Sequence, residues 1–352
     1  MDKDKKHNQK NQNDQNNDQN NQTTKNDQPT QDYYLGIDVG SVSTNVVLLD
    51  VDGNVKSVLY LRTRGDPLNS VKVGLKDMSK NVPANSKILG VGVTGSARYL
   101  ISAMIGADVV KNEITAHAVA TTHFYPDAKT ILEIGGQDSK IMILRDGIVT
   151  DFAMNNVCAA GTGSFLDQQA SRLGIPIEEF GERALQSKSD VRIAGRCTVF
   201  AESDMIHKQQ LGYTLNDIIN GLCEALVRNY FSTVGKGKDI QSPVVFQGGV
   251  AANIGIRRAF AKHLGYEIII PEHFGVMGAI GSALLAREGN ITESKFKGFD
   301  VADHNFKTTS FSCHGCPNMC EVVQFWQDTT VIAYFGDKCG KHSNRTLKQS
   351  SE

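Results

Sequence analysis

Residues 35–44 read LGIDVGSVST, and residues 131–140 read ILEIGGQDSK. In each, an apolar run breaks at glycine and then resumes, which predicts a strand, a tight turn and a second strand. Working outward, the first unit continues as NVVLLDVDGNVKSVLYLRT, where Asp52-Gly53 predicts a hairpin and a third strand. The second continues as IMILRDGIVTDFAM, with Asp146-Gly147 in the same role. The opening pattern therefore occurs twice. This is a duplication by pattern rather than by short period, so it predicts two related lobes and not a solenoid.

The intervening sequence fits an α/β chain. SVKVGLKDMSK (70–80) predicts a helix and SKILGVGVTG (86–95) a buried strand. SARYLISAMIG (96–106) predicts a helix capped by Ser96, and another helix follows at about 112–124. Beyond the second unit, SPVVFQGGVAANIGIRRAF (242–260) predicts a third strand–glycine–helix turn, and HFGVMGAIGSALLARE (273–288) a Gly/Ala-rich helix able to pack closely.

Each glycine turn follows a buried strand. Backbone N–H groups free of a neighbouring Cβ can cradle phosphate oxygens. The first turn adds the backbone of Gly40 and the hydroxyls of Ser41, Ser43 and Thr44, with Asp38 placed to hold Mg²⁺, through water. The second offers Gly135 and Gly136 with Gln137 and Asp138. The third, Gly248-Gly249, suits close approach of an adenosine. One such turn alone is an ordinary hairpin; three in this order on duplicated lobes point to a nucleotide. GVGVTG (90–95) matches G-x-G-x-x-G, but no acidic residue ends a second strand about 20 positions on, as a dinucleotide's ribose would require. It is read as a connecting turn.

Composition excludes other classes. The chain has 352 residues, with 37 basic against 38 acidic side chains, and no basic cluster that would serve nucleic acid. No apolar run reaches about 18 residues, and no apolar leader opens the chain, so a soluble cytoplasmic protein is expected. Residues 1–32 include 15 Asn or Gln and are expected to form a disordered, solubilising tail. Seven irregularly spaced cysteines favour metal or redox work over a disulfide framework.

LGIDVGSVST, ILEIGGQDSK and VVFQGGVAAN resemble the two phosphate motifs and the adenosine motif of the superfamily of acetate kinase, sugar kinases, Hsp70 and actin. Within it, GGQD, NNVCAAGTGSFLD and CTVFAESDMI resemble the activator ATPases of 2-hydroxyacyl-CoA dehydratases, with the benzoyl-CoA reductase ATPase subunits as close relatives. The resemblance spans about residues 33–290. It implies two ribonuclease H-like lobes, 33–111 with 274–290 and 112–273, and ATP in the cleft between them. It also implies a homodimer sharing one [4Fe-4S] cluster, with Cys158 and Cys197 as each chain's half of the thiolates. Both cysteines precede a helix N-terminus, whose dipole favours thiolate by about 0.3–1 kcal/mol. Cys223, on the apolar stripe of a helix, is read as a core residue. ATP hydrolysis would then drive one low-potential electron from the cluster to a dehydratase or reductase that forms a ketyl radical on its acyl-CoA, with reduced ferredoxin or flavodoxin as donor.

Gln137 stands where many kinases of the superfamily carry an acid, which suits slow hydrolysis through an oriented water. Asn45 replaces a lysine that many members carry, so that charge on the phosphate is either missing or supplied by Lys140 or another group. A sugar-type kinase is the alternative on the same fold. After residue 295 an extension to about 345 carries Cys313, Cys316 and Cys320 as C-x2-C-x3-C, with Cys339 as a possible fourth ligand. Zinc and a second iron–sulfur cluster both fit, and the redox context favours the cluster. His314 is read as a solvent-facing loop residue.

Overall fold

The computed structural model describes residues 31–155 and 157–343. The tail reading for residues 1–30 and the last two residues of the Cys-rich extension lie outside the described residues.

The first sheet contains β1 (Tyr33–Val39), β2 (Ser43–Asp50), β3 (Val55–Arg62), β4 (Ile88–Thr94) and β5 (Val109–Val110), in the order β3-β2-β1-β4-β5. The second contains β6 (Thr130–Ile134), β7 (Ser139–Arg145), β8 (Ile148–Asn155) and β9 (Val244–Gln247), in the order β8-β7-β6-β9. Each sheet is an antiparallel three-strand meander whose first strand then pairs in parallel with a later one. This is the duplication read from the sequence, and the fold is that of the actin, Hsp70 and sugar-kinase ATPases. β2 and β6 are buried almost throughout, polar residues included, whereas the edge strand β3 alternates. The β7–β8 turn places Asp146 at φ 51° and Gly147 at φ 75°, a primed turn whose twist matches the strands.

Helices α1 (Pro67–Ser79) and α2 (Arg98–Ile105) accompany the first sheet, whereas α3 (Glu113–Phe124) brings Ala118 into a cluster with Ile131, Met142 and Val245 of the second. Ser96 does not cap α2: Ala97 holds that position, and the Ser96 hydroxyl donates to the Val39 carbonyl at 3.3 Å. The second sheet is covered by α4 (Gly163–Leu173), α5 (Ile177–Leu185), α6 (Thr198–Gln210), α7 (Leu215–Thr233) and α8 (Ile254–Leu264). Thr214 and Asp217 form a capping box at the start of α7. Phe165, Phe180, Tyr230, Phe246 and Phe260 fill this core, each burial contributing about 1.5–3 kcal/mol.

The Gly/Ala-rich α9 (Met277–Arg287) lies directly on the first sheet. A Cβ at Gly36 of β1 would overlap the Ala279 carbonyl, and one at Gly92 of β4 the Ser282 carbonyl. Of the glycines in the GVGVTG stretch, Gly92 thus serves helix–sheet contact, while Gly95 is closed against the Val39 backbone. Beyond α9, β10 (Phe306–Ser312), β11 (Glu321–Gln327) and β12 (Thr330–Phe335) form an antiparallel sheet. Its Phe325, with Val301 and Ala302, is buried in the same core as β1, β4, α1 and α2. Among the described residues no helix is long and apolar enough to cross a membrane.

Candidate functional site

The three glycine turns meet between the two sheets. In the first, the Gly40 N–H donates to the Ser43 carbonyl at 2.9 Å, and the Thr63 hydroxyl donates to the Gly40 carbonyl at 2.9 Å. Ser41 is exposed and Ser43 half-buried. Thr44, expected to offer its hydroxyl at the turn, is instead fully buried and bonded to the Thr63 hydroxyl at 3.0 Å, because it already belongs to β2.

The second turn touches the first: a Cβ on Gly136 would overlap the Val42 side chain. In the third, Gly248 has φ 90° and donates its N–H to the Phe274 carbonyl at 2.9 Å. A side chain there would strain the backbone and meet Glu133 Oε1 and the Ile134 carbonyl.

A cavity of about 660 Å³ opens between these turns, within the range of ligand sites. Gly135, Gly136, Gly163 and Gly249 line it from the second lobe, with Tyr60 and Arg62 from β3 opposite. Of the predicted nucleotide residues, Gly135, Gly136 and Gly249 line this cavity, whereas Asp38, Gly40, Ser41, Ser43, Thr44, Gln137, Asp138 and Gly248 do not. Tyr60 and Arg62 were missed; the alternation of β3, which gives it two distinct faces, was the available signal.

Behind the turns lies a charged cluster. Lys140, with a side chain only 3% exposed, holds Glu113 at 2.8 Å, Glu133 at 3.0 Å and Asp138 at 2.8 Å. These three carboxylates raise its pKa far above the usual lysine value. Its charge is thus already shared and is not free to replace the lysine absent at Asn45, which is itself buried with no hydrogen bond to its Oδ1. Burial, reinforced by Asp138 and Glu113, pushes Glu133 up to about 8.

Asp38 is packed beneath Gly278, where a Cβ would overlap its carboxylate. Burial, with Glu113 and Asp138 adding to it against Lys140, pushes Asp38 up to about 7. The nearby His117 is held neutral, its pKa pulled down to about 3 by burial and by Lys140, and its Nδ1 pairs with Gln247 Nε2 at 3.1 Å. Three carboxylates therefore contact one lysine, with the Asp38 carboxyl in the same field. The deficit of positive charge suits a divalent cation. Gln137 stands exposed on the second turn.

Cys158 and Cys197 occupy the positions that precede a helical turn. Cys158 leads the 3-10 turn Ala159–Gly161 just before α4, and Cys197 leads α6. Their loops abut, with Cys158 Sγ 4.0 Å from the Arg196 carbonyl. Asn155 shapes the first loop, its Oδ1 accepting from the Cys158 N–H at 3.1 Å and its Nδ2 donating to the Cys158 carbonyl at 2.9 Å. Asn229 joins the two loops: its Nδ2 donates to the Gly195 carbonyl at 2.7 Å, and its Oδ1 fills the space left by the absent Cβ of Gly161.

Around the two thiols, Val157 is 93%, Val199 64% and Phe200 66% exposed. Cys223 is a core residue as expected, its thiol pushed up to about 12 by burial.

Backbone and side-chain bonds connect the cleft to this cysteine face. The Gly163 N–H donates to the Gly135 carbonyl at 2.9 Å, and the Ser164 N–H to the Gly136 carbonyl at 2.8 Å. The Ser164 hydroxyl donates to the same Gly136 oxygen at 2.6 Å. The start of α4, five residues after Cys158, is therefore tied to the second glycine turn.

In the extension, Cys313, Cys316 and Cys320 lie in the β10–β11 hairpin and Cys339 beyond β12. Cys313 Sγ lies 3.4 Å from His342 Nε2, a partner the sequence reading did not consider. Among the described residues, no three His, Cys, Asp or Glu side chains are already gathered as a metal site.

Residues 35–286 match the BadF/BadG/BcrA/BcrD ATPase family. The chain is similar to the 2-hydroxyisocaproyl-CoA dehydratase activator of Clostridioides difficile, with 35% identity over 255 residues that cover 72% of this chain and 94% of that protein. It is similar to the (R)-2-hydroxyglutaryl-CoA dehydratase activating ATPase of Acidaminococcus fermentans, with 34% identity over 259 residues, 72% of this chain and 96% of that one. Among solved structures, the activator of the 2-hydroxyisocaproyl-CoA dehydratase from Clostridium difficile with bound ADPNP has a TM-score of 0.67 at 33% identity, covering 73% of this chain and 95% of that chain.

Proposed function

Since the chain belongs to the BadF/BadG/BcrA/BcrD ATPase family, we propose that it is the ATP-dependent activator of a 2-hydroxyacyl-CoA dehydratase or a related reductase. The chain is an ATPase, and the names of its relatives support this class of partner. The single observation that carries the coupling is the pair of bonds from Gly163 and Ser164 to the carbonyls of Gly135 and Gly136. A nucleotide that moves the second glycine turn moves α4, and with it the loop of Cys158.

The residues divide the work as follows. The backbone of Gly135, Gly136 and Gly249 admits the nucleotide closely, since no Cβ stands in its way. Asp38 and Asp138 would hold Mg²⁺, whose charge would favour the ionised form of Asp38, and Lys140 keeps Asp138 in place. Gln137, on the same turn, orients water without acting as a strong base, which keeps hydrolysis slow until the partner is engaged.

Cys158 and Cys197 would hold an iron–sulfur cluster jointly with the same two residues of a second copy. Their fit rests on three features: two half-exposed thiols on abutting loops, each at a helical N-terminus, and an apolar rim of Val157, Val199 and Phe200 open to solvent. Two thiols are half of a four-thiolate set, and an isologous contact presents the same half again. Such a rim is an interaction surface. When bound, the [4Fe-4S] cluster supplies one electron at low potential. Reduced ferredoxin or flavodoxin is the proposed donor.

The test is anaerobic purification followed by iron and sulfide analysis. One cluster per two chains, lost in Cys158→Ser and in Cys197→Ser, is expected. A colourless, iron-free monomer with intact ATPase activity would leave a nucleotide-binding protein of another purpose.

A further inference from the structure

We propose that the C-terminal sheet is closed by one zinc ion held by Cys313, Cys316, Cys339 and His342. The ligands form two short chelates, C-x2-C at 313–316 and C-x2-H at 339–342. Such spacing lets two side chains of one turn reach the same ion.

The sheet brings the two turns to one end. Ser312 pairs with Glu321 at the close of the β10–β11 ladder, and the Cys313 N–H donates to the Cys320 carbonyl at 2.7 Å, so the first turn caps that hairpin. β12 pairs with β11 up to Phe335 opposite Val323. The chain then continues past Gly336, which at φ 92° packs where a Cβ would meet the Glu321 carbonyl. Both turns thus leave the sheet beside Glu321.

His342 joins them. Its Nε2 lies 3.4 Å from Cys313 Sγ. Two ligands of one tetrahedral zinc, with Zn–S of about 2.3 Å and Zn–N of about 2.0 Å, stand about 3.5 Å apart. The ring is oriented from the other side. It packs edge-on to Phe311 at 5.4 Å and tilts against Tyr334 at 6.0 Å, while its backbone N–H donates to Asp337 Oδ2 at 2.7 Å. A histidine in this place favours zinc over an iron–sulfur cluster, whose usual set is four thiolates.

The sheet has reason to need such a staple. Of residues 306–335 only Val322 and Phe325 are fully buried apolar residues. A small three-stranded sheet with so little core gains folding free energy directly from a bound ion.

The full chain carrying Cys158→Ser and Cys197→Ser, which removes the other candidate metal ligands, is purified anaerobically and analysed for metals. One zinc per chain is expected. It should be lost in Cys313→Ser, Cys339→Ser and His342→Ala and kept in Cys320→Ser. Replacement by Co²⁺ should give the intense visible bands of a tetrahedral, thiolate-bound ion in the parent and in Cys320→Ser. Stoichiometric iron and sulfide in place of zinc, or metal that needs Cys320 but survives His342→Ala, would overturn the assignment in favour of a four-thiolate site. Absence of any stoichiometric metal would overturn it altogether.

Discussion

Ser164 gives both its backbone N–H, at 2.8 Å, and its hydroxyl, at 2.6 Å, to the carbonyl oxygen of Gly136. One atom of the second glycine turn thus holds Ser164 at the start of α4, and Cys158 lies six positions upstream. The side-chain bond is the part of this joint that mutation can remove without touching the backbone.

Ser164→Ala should therefore leave nucleotide binding and basal ATP hydrolysis within about twofold. Electron delivery per ATP should fall by about fivefold to tenfold, the range of one lost hydrogen bond of ~1–1.5 kcal/mol. Parallel measurement of ATP consumed and acceptor reduced distinguishes uncoupling from simple loss of activity.

Asp38 gives a pH signature. Its carboxyl titrates at about 7 in the fold, raised by burial and by Glu113 and Asp138 from an ordinary value of 3.8. The folded chain therefore binds the proton more tightly than the unfolded one. The stability this contributes is complete below pH 4 and is lost as pH rises through 7. Asp38→Asn, which cannot ionise, should be more stable than wild type at pH 8 without Mg²⁺, by about 2 kcal/mol after discount from ~1.4 kcal/mol per pKa unit. The difference should close at pH 4. Mg²⁺ should bind wild type more tightly at pH 8 than at pH 6, and Asp38→Asn weakly at both.

Lys140 is the only cation in contact with Glu113, Glu133 and Asp138 among the described residues. Lys140→Met leaves the buried Glu133 and the half-buried Glu113 and Asp138 without that cation. A loss of about 3–5 kcal/mol is expected, as for other broken buried ion pairs. Thermal or urea unfolding measures it, and acidic pH should restore part of the loss by protonating the carboxyls.

Phe200, 66% exposed near Cys197, is a handle on the proposed self-association. Phe200→Glu should yield monomers that still bind nucleotide but hold no iron. Sedimentation and iron analysis on one sample check both halves of this statement.

Much of the fold was legible because its signals are local. The apolar runs of β1 and β6, the glycine breaks after them and the Asp146-Gly147 turn each report their own geometry. The place of Cys158 and Cys197 ahead of a helical turn was legible in their motifs. What escaped is non-local. Lys140 joins Glu113 of α3 to Glu133 and Asp138, and nothing in the spacing of these residues announces it. His342 reaches Cys313 across 29 positions, by way of two strands. The Ser96 cap failed for a tertiary reason, since the Val39 carbonyl draws the hydroxyl away from the helix. Thr44 failed at an element boundary: β2 already begins at Ser43, so the Thr44 hydroxyl bonds to Thr63 within the sheet.

The central claim is that the glycine turn of the cleft and the Cys158 loop move as one body. The measurement that tests it most directly is the electron paramagnetic resonance spectrum of the anaerobic, reduced protein, recorded with ADP and then with a non-hydrolysable ATP analogue. The account predicts a cluster signal that changes with the nucleotide in wild type and changes far less in Ser164→Ala. A signal indifferent to nucleotide in wild type, or equally responsive in both proteins, would contradict it.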